Sequence, residues 1–437
     1  MMTNVTAKKG SGVSLVSRLL LLLFALAGLG ARPARAQTCS PLNESTFVTT
    51  FGAQVAIASS DDSVIAAWQA TDTSQSNTPT IVVQGLVGAN LCPAATVDGM
   101  TPLLRGVSTT KHPVSAPAVA FSSNGPPGTE FFLVWQDNPS GSNGDIWGVF
   151  LTSDGKLVNP AFHINNDSNN ETTPTVVWSP RVGKFLVTYR RTHGSTTAIT
   201  ANWVTTGQQV SANQDIIASG VNTSGTKPTV SLVSFNEAVL VTYNENKYEF
   251  VNEVTLALNE PTVAISGATG IQGTANVDLA SFGLAWSTGS GSATQIMSKT
   301  FPNGCLESWC ADAAVAVITN GYGNGLTNPV ISTFGGGYAI YSAYLPTSWQ
   351  YLGAAVVDEN GNFVESDAAM VPNCSGGLKS GYSWGTPTTM AATAASSSDL
   401  SLLLFDAECA TAHYPFEWVL ATPPDDFYNF FSTKVSL

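Results

Sequence analysis

Residues 115–164 read SAPAVAFSSNGPPGTEFFLVWQDNPSGSNGDIWGVFLTSDGKLVNPAFHI. Four short apolar or alternating runs lie in this stretch: Ala118 to Phe121, Phe131 to Trp135, Ile146 to Thr152, and Leu157 to Ile164 with Pro160 inside it. Gly, Pro, Asn and Ser fill the gaps, the residues that turns require. The spacing predicts a four-stranded antiparallel unit. Its second run ends in an aromatic residue, and that ending recurs seven times: VIAAW68, FFLVW135, FLVTY189, VLVTY243, FGLAW286, YAIY341 and LLLF405. The gaps between successive aromatics are 67, 54, 54, 43, 55 and 64 residues.

The neighbouring copies repeat the order of runs. The third reads TPTVVWS, KFLVTYRR, AITANWVT, QQVSANQDI; the fourth reads KPTVSLVS, EAVLVTYNEN, EVTLALN, TVAIS. A proline opens the first run of several copies (Pro117, Pro174, Pro228, Pro329, Pro387). Proline has no N–H for a central ladder, so it is expected at the strand start. A glycine follows the aromatic anchor by 18 to 20 residues in five copies (Gly88, Gly155, Gly207, Gly304, Gly361), as Asp-Gly or Asn-Gly in the clearest. Those dipeptides favour tight hairpins because they tolerate positive φ. The fourth copy carries Asn259-Glu260-Pro261 instead.

Four-stranded units at this period predict an all-β fold, a seven-bladed β-propeller of four-stranded antiparallel blades. The blades are expected at about 53–105, 115–165, 173–219, 227–267, 275–319, 328–372 and 386–437. A unit this small cannot bury its own core and needs neighbours. The anchors Trp68, Trp135, Tyr189, Tyr243, Trp286, Tyr341 and Phe405 are therefore expected to pack between blades rather than to stack on sugars. The β-prone segment Glu44 to Phe51 is expected to complete the last blade.

Residues 1–36 stand apart. Lys8, Lys9 and Arg18 precede an apolar stretch from Leu19 to Leu29, and Ala34-Arg35-Ala36 precedes Gln37. A positive start, a short apolar run and a small-x-small site make a secretory signal with cleavage near Ala36. The run is too short to span a bilayer. The expected location is secreted or at the cell surface, with residues 37–437 forming one propeller domain. Removing the signal leaves 12 basic against 30 acidic residues, a net charge of about −18. Such a chain repels nucleic acid and anionic lipid.

All six cysteines (Cys39, Cys92, Cys305, Cys310, Cys374, Cys409) fall after the signal. An even number in an exported chain points to disulfides. Six cysteines allow 15 pairings; Cys305 with Cys310, Cys374 with Cys409, and Cys39 with Cys92 are the local ones. No CxxC occurs and the chain has four histidines, so no metal centre or other cofactor is expected.

The run P-x-V-A…F-L-V-x-W-Q-D…D-I-x-G…D-G resembles the repeats of secreted bacterial β-propeller-like proteins, many of unassigned function. Residues 115–165 carry the resemblance best, and 173–265 and 328–371 carry it in part. It implies the fold and an exported location, and no activity.

A site is expected on the face where chain leaves the second strands and enters the first. That face should receive His112, Asp137, Arg190, Arg191, His193, Asn244 and Glu245. Paired arginines can hold a carboxylate or sulfate through two parallel hydrogen bonds; an internal salt bridge to Asp137 or Glu245 is the plainer expectation. Asn165 to Glu171 (NNDSNNE) is rich in oxygen ligands but lacks the spacing of a calcium loop, so a turn is expected there. No sialidase Asp-box, G-x-S-x-G elbow, H-E-x-x-H or P-loop motif is found, and no catalytic residue is assigned. Asp137 with Glu245 is the one candidate carboxyl pair. The leading expectation is a non-enzymatic binding protein that presents a loop face to a glycan or a cell-surface protein. A polysaccharide hydrolase or lyase on the same scaffold is the alternative, and a structural or adhesive surface component the third.

Overall fold

The computed structural model describes residues 40–41, 52–60, 63–72, 78–87, 90–91, 95–96, 114–137, 143–158, 160–224, 227–233, 237–276, 280–302, 314–319, 326–334, 337–344, 351–358, 360–370, 390–395, 400–408, 413–421 and 433–436. They form seven antiparallel sheets in chain order, and one short 3-10 turn at Gly291–Ala293. The first sheet has six strands: Gly52–Ser59, Ser63–Asp72 and Thr78–Val87, with the short Ser40–Pro41, Asn90–Leu91 and Ala95–Thr96 at its margin. The other six have four strands each. The second comprises Val114–Phe121, Phe131–Asp137, Asp145–Leu151 and Phe162–Asn165; the third Asn170–Ser179, Lys184–His193, Thr196–Val204 and Gln214–Ile217. The fourth runs Thr229–Val233, Ala238–Tyr243, Lys247–Asn252 and Val263–Ala264, and the fifth Ala268–Asn276, Ser281–Thr288, Gln295–Phe301 and Val315–Thr319. Leu326–Phe334, Gly337–Tyr344, Tyr351–Asp358 and Phe363–Met370 make the sixth. Met390–Ala395, Leu400–Glu408, His413–Ala421 and Thr433–Ser436 make the last. Thr433–Ser436 fills the fourth place there, and Glu44 to Phe51, expected to pair with this sheet, lies outside the described residues.

Each sheet lies with its first strand beside the first strand of the next, and Gly52–Ser59 of the first lies beside Met390–Ala395 of the last. The core sits between the sheets. Along Phe131–Trp135, the odd residues Phe131, Leu133 and Trp135 pack against Ile65, Ala67, Ile81 and Val83 of the first sheet. The even residues Phe132 and Val134 pack against Val176, Phe185 and Val187 of the third. Side chains alternate across a strand, and here both faces are covered. The second strands therefore read as unbroken apolar runs instead of alternating ones.

All seven anchors fall in second strands. The six whose side chains are described are buried. Trp135, Tyr189, Tyr243 and Trp286 each pack toward the preceding sheet. The sixth copy departs from the pattern. The residue after the bulge in the first strand pairs with Val134 in the second sheet (Ala118) and with Thr188 in the third (Thr175), one position before the anchor. In the sixth sheet the same residue, Val330, pairs with Tyr341 itself. Tyr341 is thus one residue short of the anchor slot, which the buried Ser342 occupies. A one-residue slip moves a side chain to the other face, and Tyr338 and Ile340 face the fifth sheet in its stead.

The prolines are not at strand starts in three sheets. Pro117, Pro174 and Pro329 sit inside the first strands, where the register shifts between Ser115 and Ala118, Thr172 and Thr175, and Thr327 and Val330. A bulge tolerates a residue without an N–H as well as a strand start does. Ala116 (φ 52°) and Thr173 (φ 51°), each just before the proline, take the positive φ that turns the chain there. Pro228 does precede its strand, and Pro387 lies outside the described residues.

Gly155 (φ 80°) and Gly361 (φ 77°) make the expected turns between third and fourth strands. In the third sheet the positive φ falls on Gln208 (64°), one residue beyond Gly207. Gly88 and Gly304 lie outside the described residues. In the fourth sheet the third strand is Lys247–Asn252, earlier than the expected EVTLALN run, which instead forms the turn. Leu256 (φ 54°) carries the positive φ, with its N–H bonded to the Asn252 carbonyl at 2.8 Å. A polar residue opens each of these turns and caps it: Thr152, Thr205, Asn252 and Asp358 all accept backbone N–H groups three to four residues on or nearer.

Close packing between sheets leaves little room for added atoms. A Cβ on Gly283 would stand 2.7 Å from the Tyr338 ring and 3.0 Å from Ile331 Cδ1 of the next sheet. Gly283→Ala is expected to destabilise the protein by about 1–3 kcal/mol through overpacking. Chemical denaturation would check it, and an unchanged midpoint would show that this boundary can yield.

Candidate functional site

Of the seven expected loop-face residues, Arg190, Asn244 and Glu245 brace one sheet, or the loop leading from it, against the next. Asn244 and Glu245 follow the Tyr243 anchor with φ of 54° and 67°, a conformation that swings the chain toward its neighbours. Asn244 Nδ2 donates to the Gly220 carbonyl at 2.6 Å, and its Oδ1 accepts the Asn222 N–H at 2.7 Å. Glu245 Oε2 accepts the Gly270 N–H at 3.0 Å, and its carbonyl accepts the Ile271 N–H at 3.0 Å. The fourth sheet is thereby tied to the fifth. Gln136 does the same between the second and third sheets, its Oε1 accepting the Thr173 N–H at 3.2 Å.

Arg190 is buried in the second strand of the third sheet, opposite Thr172 and Ile199. Burial pulls its guanidinium pKa down, and the Glu245 carboxylate pulls it back up across the boundary to the fourth sheet. Asp137 is half-buried at a strand end, in register with Val114 and Asp145. Asp137 and Glu245 thus belong to different sheets with different neighbours. His112 lies outside the described residues, as do all six cysteines.

Arg191 and His193 belong to a different arrangement, built mostly from the run that reads as a plain turn. The run Asn165–Glu171 links the second sheet to the third. Asn165 Oδ1 accepts the Asp167 N–H at 3.1 Å, and Asp167 Oδ1 accepts the Asn169 N–H at 2.8 Å, so alternate side chains fold back on the backbone. This fixes Asp167 toward Arg191, whose Nε and Nη2 donate to Asp167 Oδ2 at 3.0 and 2.6 Å. Arg191 Nε also lies 3.7 Å from Glu171 Oε1, and Nη1 lies 4.0 Å from Asp215 Oδ1. His193 Nδ1 is 2.5 Å from Asn169 Oδ1. Asn213 Nδ2 donates to Asp167 Oδ2 at 3.3 Å, and Thr200 Oγ1 donates to Asp215 Oδ1 at 2.6 Å.

The Tyr189 anchor ties this network to the core. Its ring packs between the second and third sheets, while its hydroxyl accepts from Asn165 Nδ2 at 3.0 Å and donates to Asn202 Oδ1 at 2.7 Å. An aromatic with a polar tip can serve both roles.

The two acids nearest Arg191 differ in protonation. Glu171 is completely buried, and neither carboxyl oxygen has a hydrogen-bond partner within normal bonding distance. Burial, then the facing Asp167 carboxyl, pushes its pKa up to about 9, against the pull of Arg191. Burial also works to raise Asp167, but is outweighed by the Asn169 backbone N–H, by the protonated Glu171 and by Arg191, which hold it down to about 2. At neutral pH one acid is neutral and the other charged. Separation of two acids in this way marks acid–base sites in enzymes. Here, however, both carboxyls face the same guanidinium nitrogen and Glu171 has no exposed surface. Glycosidases set two accessible carboxyls about 5–10 Å apart with the sugar between them.

Arg191 is therefore already matched by this chain's own carboxylates and is not an open anion clamp. What faces solvent is a rim of different groups: the Asp215 side chain is 41% exposed and Asp167 30%, with His193 and Asn213 exposed beside them. Among the described residues, no group of three or more His, Cys, Asp or Glu side chains is arranged to hold a metal. No described helix is long and apolar enough to cross a membrane.

Comparison with known proteins adds little. No protein family and no curated protein matches the chain. Among solved structures it is similar to Raptor from Chaetomium thermophilum, with a TM-score of 0.47 and 8% identity over 86% of this chain. The match spans only 28% of the Raptor chain. Likeness at this level carries no argument about the fold or activity of this protein.

Proposed function

We propose that this chain is an exported seven-bladed β-propeller that binds a glycan or a cell-surface protein on a polar loop face without turning it over. The propeller reading is supported by two features. The first strands adjoin one another in chain order, and the first sheet adjoins the last. Within six of the sheets, strand order runs outward from that first strand, the arrangement of blades around an axis. Export rests on residues 1–36, which have the composition of a secretory signal.

The Asp167–Arg191 network carries the binding reading. It is held rigid from beneath by Tyr189 and Asn202, and it offers carboxylate, amide and imidazole groups at its rim. A preorganised mixture of donors and acceptors suits sugar hydroxyls, each of which both donates and accepts. The same network argues against hydrolysis, because Glu171 is wholly buried and both acids turn to the same Arg191 guanidinium instead of facing each other across a cleft.

A glycan-array screen of the purified protein tests this reading, with a His193→Ala/Asp215→Ala double variant alongside. Binding to at least one glycan class is expected, weakened about tenfold or more in the double variant by loss of two rim contacts. No reducing ends should appear when the bound glycan is incubated with the protein. Product release would replace the binding reading with the hydrolytic one. Equal binding by the double variant would move the site elsewhere.

A further inference from the structure

We propose that the ligand of the Asp167–Arg191 rim is an amine-bearing glycan, built of 2-amino-2-deoxy sugars whose ammonium groups are held by Asp215 and His193. This rests on the binding reading above and names the chemistry that the rim selects.

The first ground is where the donors go. Arg191 Nε and Nη2 are taken by Asp167 Oδ2, and Nη1 lies 4.0 Å from Asp215 Oδ1. Asn213 Nδ2 donates to Asp167, and Asn202 Nδ2 donates to the Ser211 carbonyl and to Asn213 Oδ1. Asn169 Nδ2 donates to Asp167 Oδ1 at 2.6 Å. That bond fixes the Asn169 amide, so its Oδ1 faces His193 and accepts from Nδ1. With the proton on Nδ1, Nε2 of the neutral imidazole is an acceptor. Asp215 Oδ1 accepts from Thr200, while Oδ2 makes no hydrogen bond among the described residues. The donors are thus spent inside the network, and the exposed His193 and Asp215 have acceptor capacity left. An ammonium offers three donors and no acceptor. Its hydrogen bonds to a carboxylate are about twice as strong as those of a neutral hydroxyl.

The second ground is charge. Asp167, Glu171 and Asp215 all face the one guanidinium of Arg191. Among the described residues, no other Lys or Arg lies within ion-pair distance of them. Glu171 is wholly buried, is aimed at Arg191 Nε from 3.7 Å, and has neither carboxyl oxygen hydrogen-bonded. A buried polar group left without a partner calls for an explanation. Here one cation serves three carboxyls, and Glu171 keeps its proton because burial and Asp167 outweigh Arg191. The network is short of positive charge, which an ammonium at Asp215 supplies. A uronate or sulfated sugar would instead meet carboxylates.

The surroundings favour a sugar over a basic peptide. Asn166, Ser168, His193, Ser195, Asn213 and Asp215 are exposed on the three segments that form the rim, and none of these segments exposes a large apolar side chain. Peptides and proteins bind through buried apolar or aromatic anchors, for which this rim has no pocket wall.

The test is calorimetric titration of the purified protein at pH 6.5, where a large share of sugar amines is protonated. The probes are hexamers of glucosamine, N-acetylglucosamine and galacturonic acid, with hexalysine as the peptide control. The glucosamine hexamer is expected to bind at least about tenfold tighter than the N-acetylated one, which has the same ring without the charge. Raising salt from 50 to 200 mM should narrow that gap. Asp215→Asn, which keeps an acceptor for Thr200, should reduce the preference to about twofold or less. Equal or tighter binding of the N-acetylated or the acidic hexamer overturns this inference and leaves the binding reading standing. Hexalysine bound as tightly as the glucosamine hexamer also overturns it, in favour of a basic protein segment. Binding of no glycan removes both readings. The wild-type affinities decide the matter even if the variant does not fold.

Discussion

Phe132→Ala will lower the stability of this protein by about 4 kcal/mol, within the 3–5 kcal/mol seen when a wholly buried phenylalanine is truncated. Phe132 has no exposed surface. Its ring centroid lies 4.6 Å from that of Phe150, 5.0 Å from Phe185 and 5.9 Å from Phe162. Gly148 makes the space for it, since a Cβ there would stand 2.5 Å from Phe132 Cζ. Alanine would leave a void walled by three aromatic rings and a glycine that cannot fill it. The void lies on the boundary between the second and third sheets, where Phe185 comes from the far side. Phe132→Leu, which keeps most of the volume, should cost no more than about 1.5 kcal/mol. Denaturant titration of both variants checks this. A loss under about 1 kcal/mol for alanine would mean the sheets can close the gap, and that the boundary is not tightly packed.

Glu171→Gln will make the protein more stable at pH 7.5, by up to about 4 kcal/mol, and no more stable at pH 4. Folded Glu171 keeps its proton up to about pH 9, whereas its unperturbed value is 4.5. Between those values the folded state binds one proton more than the unfolded state, so stability falls as pH rises. The contribution of Glu171 is fully present below about pH 4.5 and is lost as pH climbs through 9. Glutamine keeps the shape of the neutral acid and has no proton to lose. Asp167 acts in the other direction and in another window: its contribution is present above its unperturbed 3.8 and lost as pH falls to about 2. Unfolding free energies of both proteins, compared from pH 4 to 9, should diverge steadily. Parallel curves would show that Glu171 is ionised in the fold and that the acid pair does not share a proton.

The repeating architecture was legible because its physics is local. Trp135, Tyr189 and Trp286 mark second strands since each ends a run buried on both faces, and such a run leaves a continuous apolar signature. Turn glycines such as Gly155 and Gly361 were legible for a similar reason, as positive φ is cheapest for glycine. Gln208 and Leu256 were not, because non-glycine residues can be held at positive φ by the hydrogen bonds of Thr205 and Asn252. The alternation of Thr, Asn or Asp at the ends of third strands was a signal that could have located those turns. Tyr341 illustrates the opposite failure: an aromatic at about the right spacing, one residue out of register, facing the wrong way.

The candidate site was much less legible than the fold. Arg190, Asn244 and Glu245 look like loop-face polar residues, yet their side chains are spent on joining sheets. Asn165, Asp167 and Asn169 carry a readable pattern, an oxygen-bearing side chain at every second residue ahead of a strand, and this is what builds the turn under Arg191. Nothing local in the sequence couples that turn to Arg191, His193 or Asp215, which come from the second strand of the third sheet and from its fourth.

By itself the sequence determined that the chain is built of repeated antiparallel strands, which residues are apolar enough to be buried, and that the chain is acidic. These follow from periodicity and composition, properties each segment carries without its neighbours. Only the tertiary structure decided which polar residues are braces and which form the Arg191 network, that Glu171 keeps its proton, and that Lys227 reaches the Pro117 carbonyl two sheets away. Protonation and partner choice depend on what other segments bring within a few ångströms and on how much water they exclude, and no local pattern encodes either.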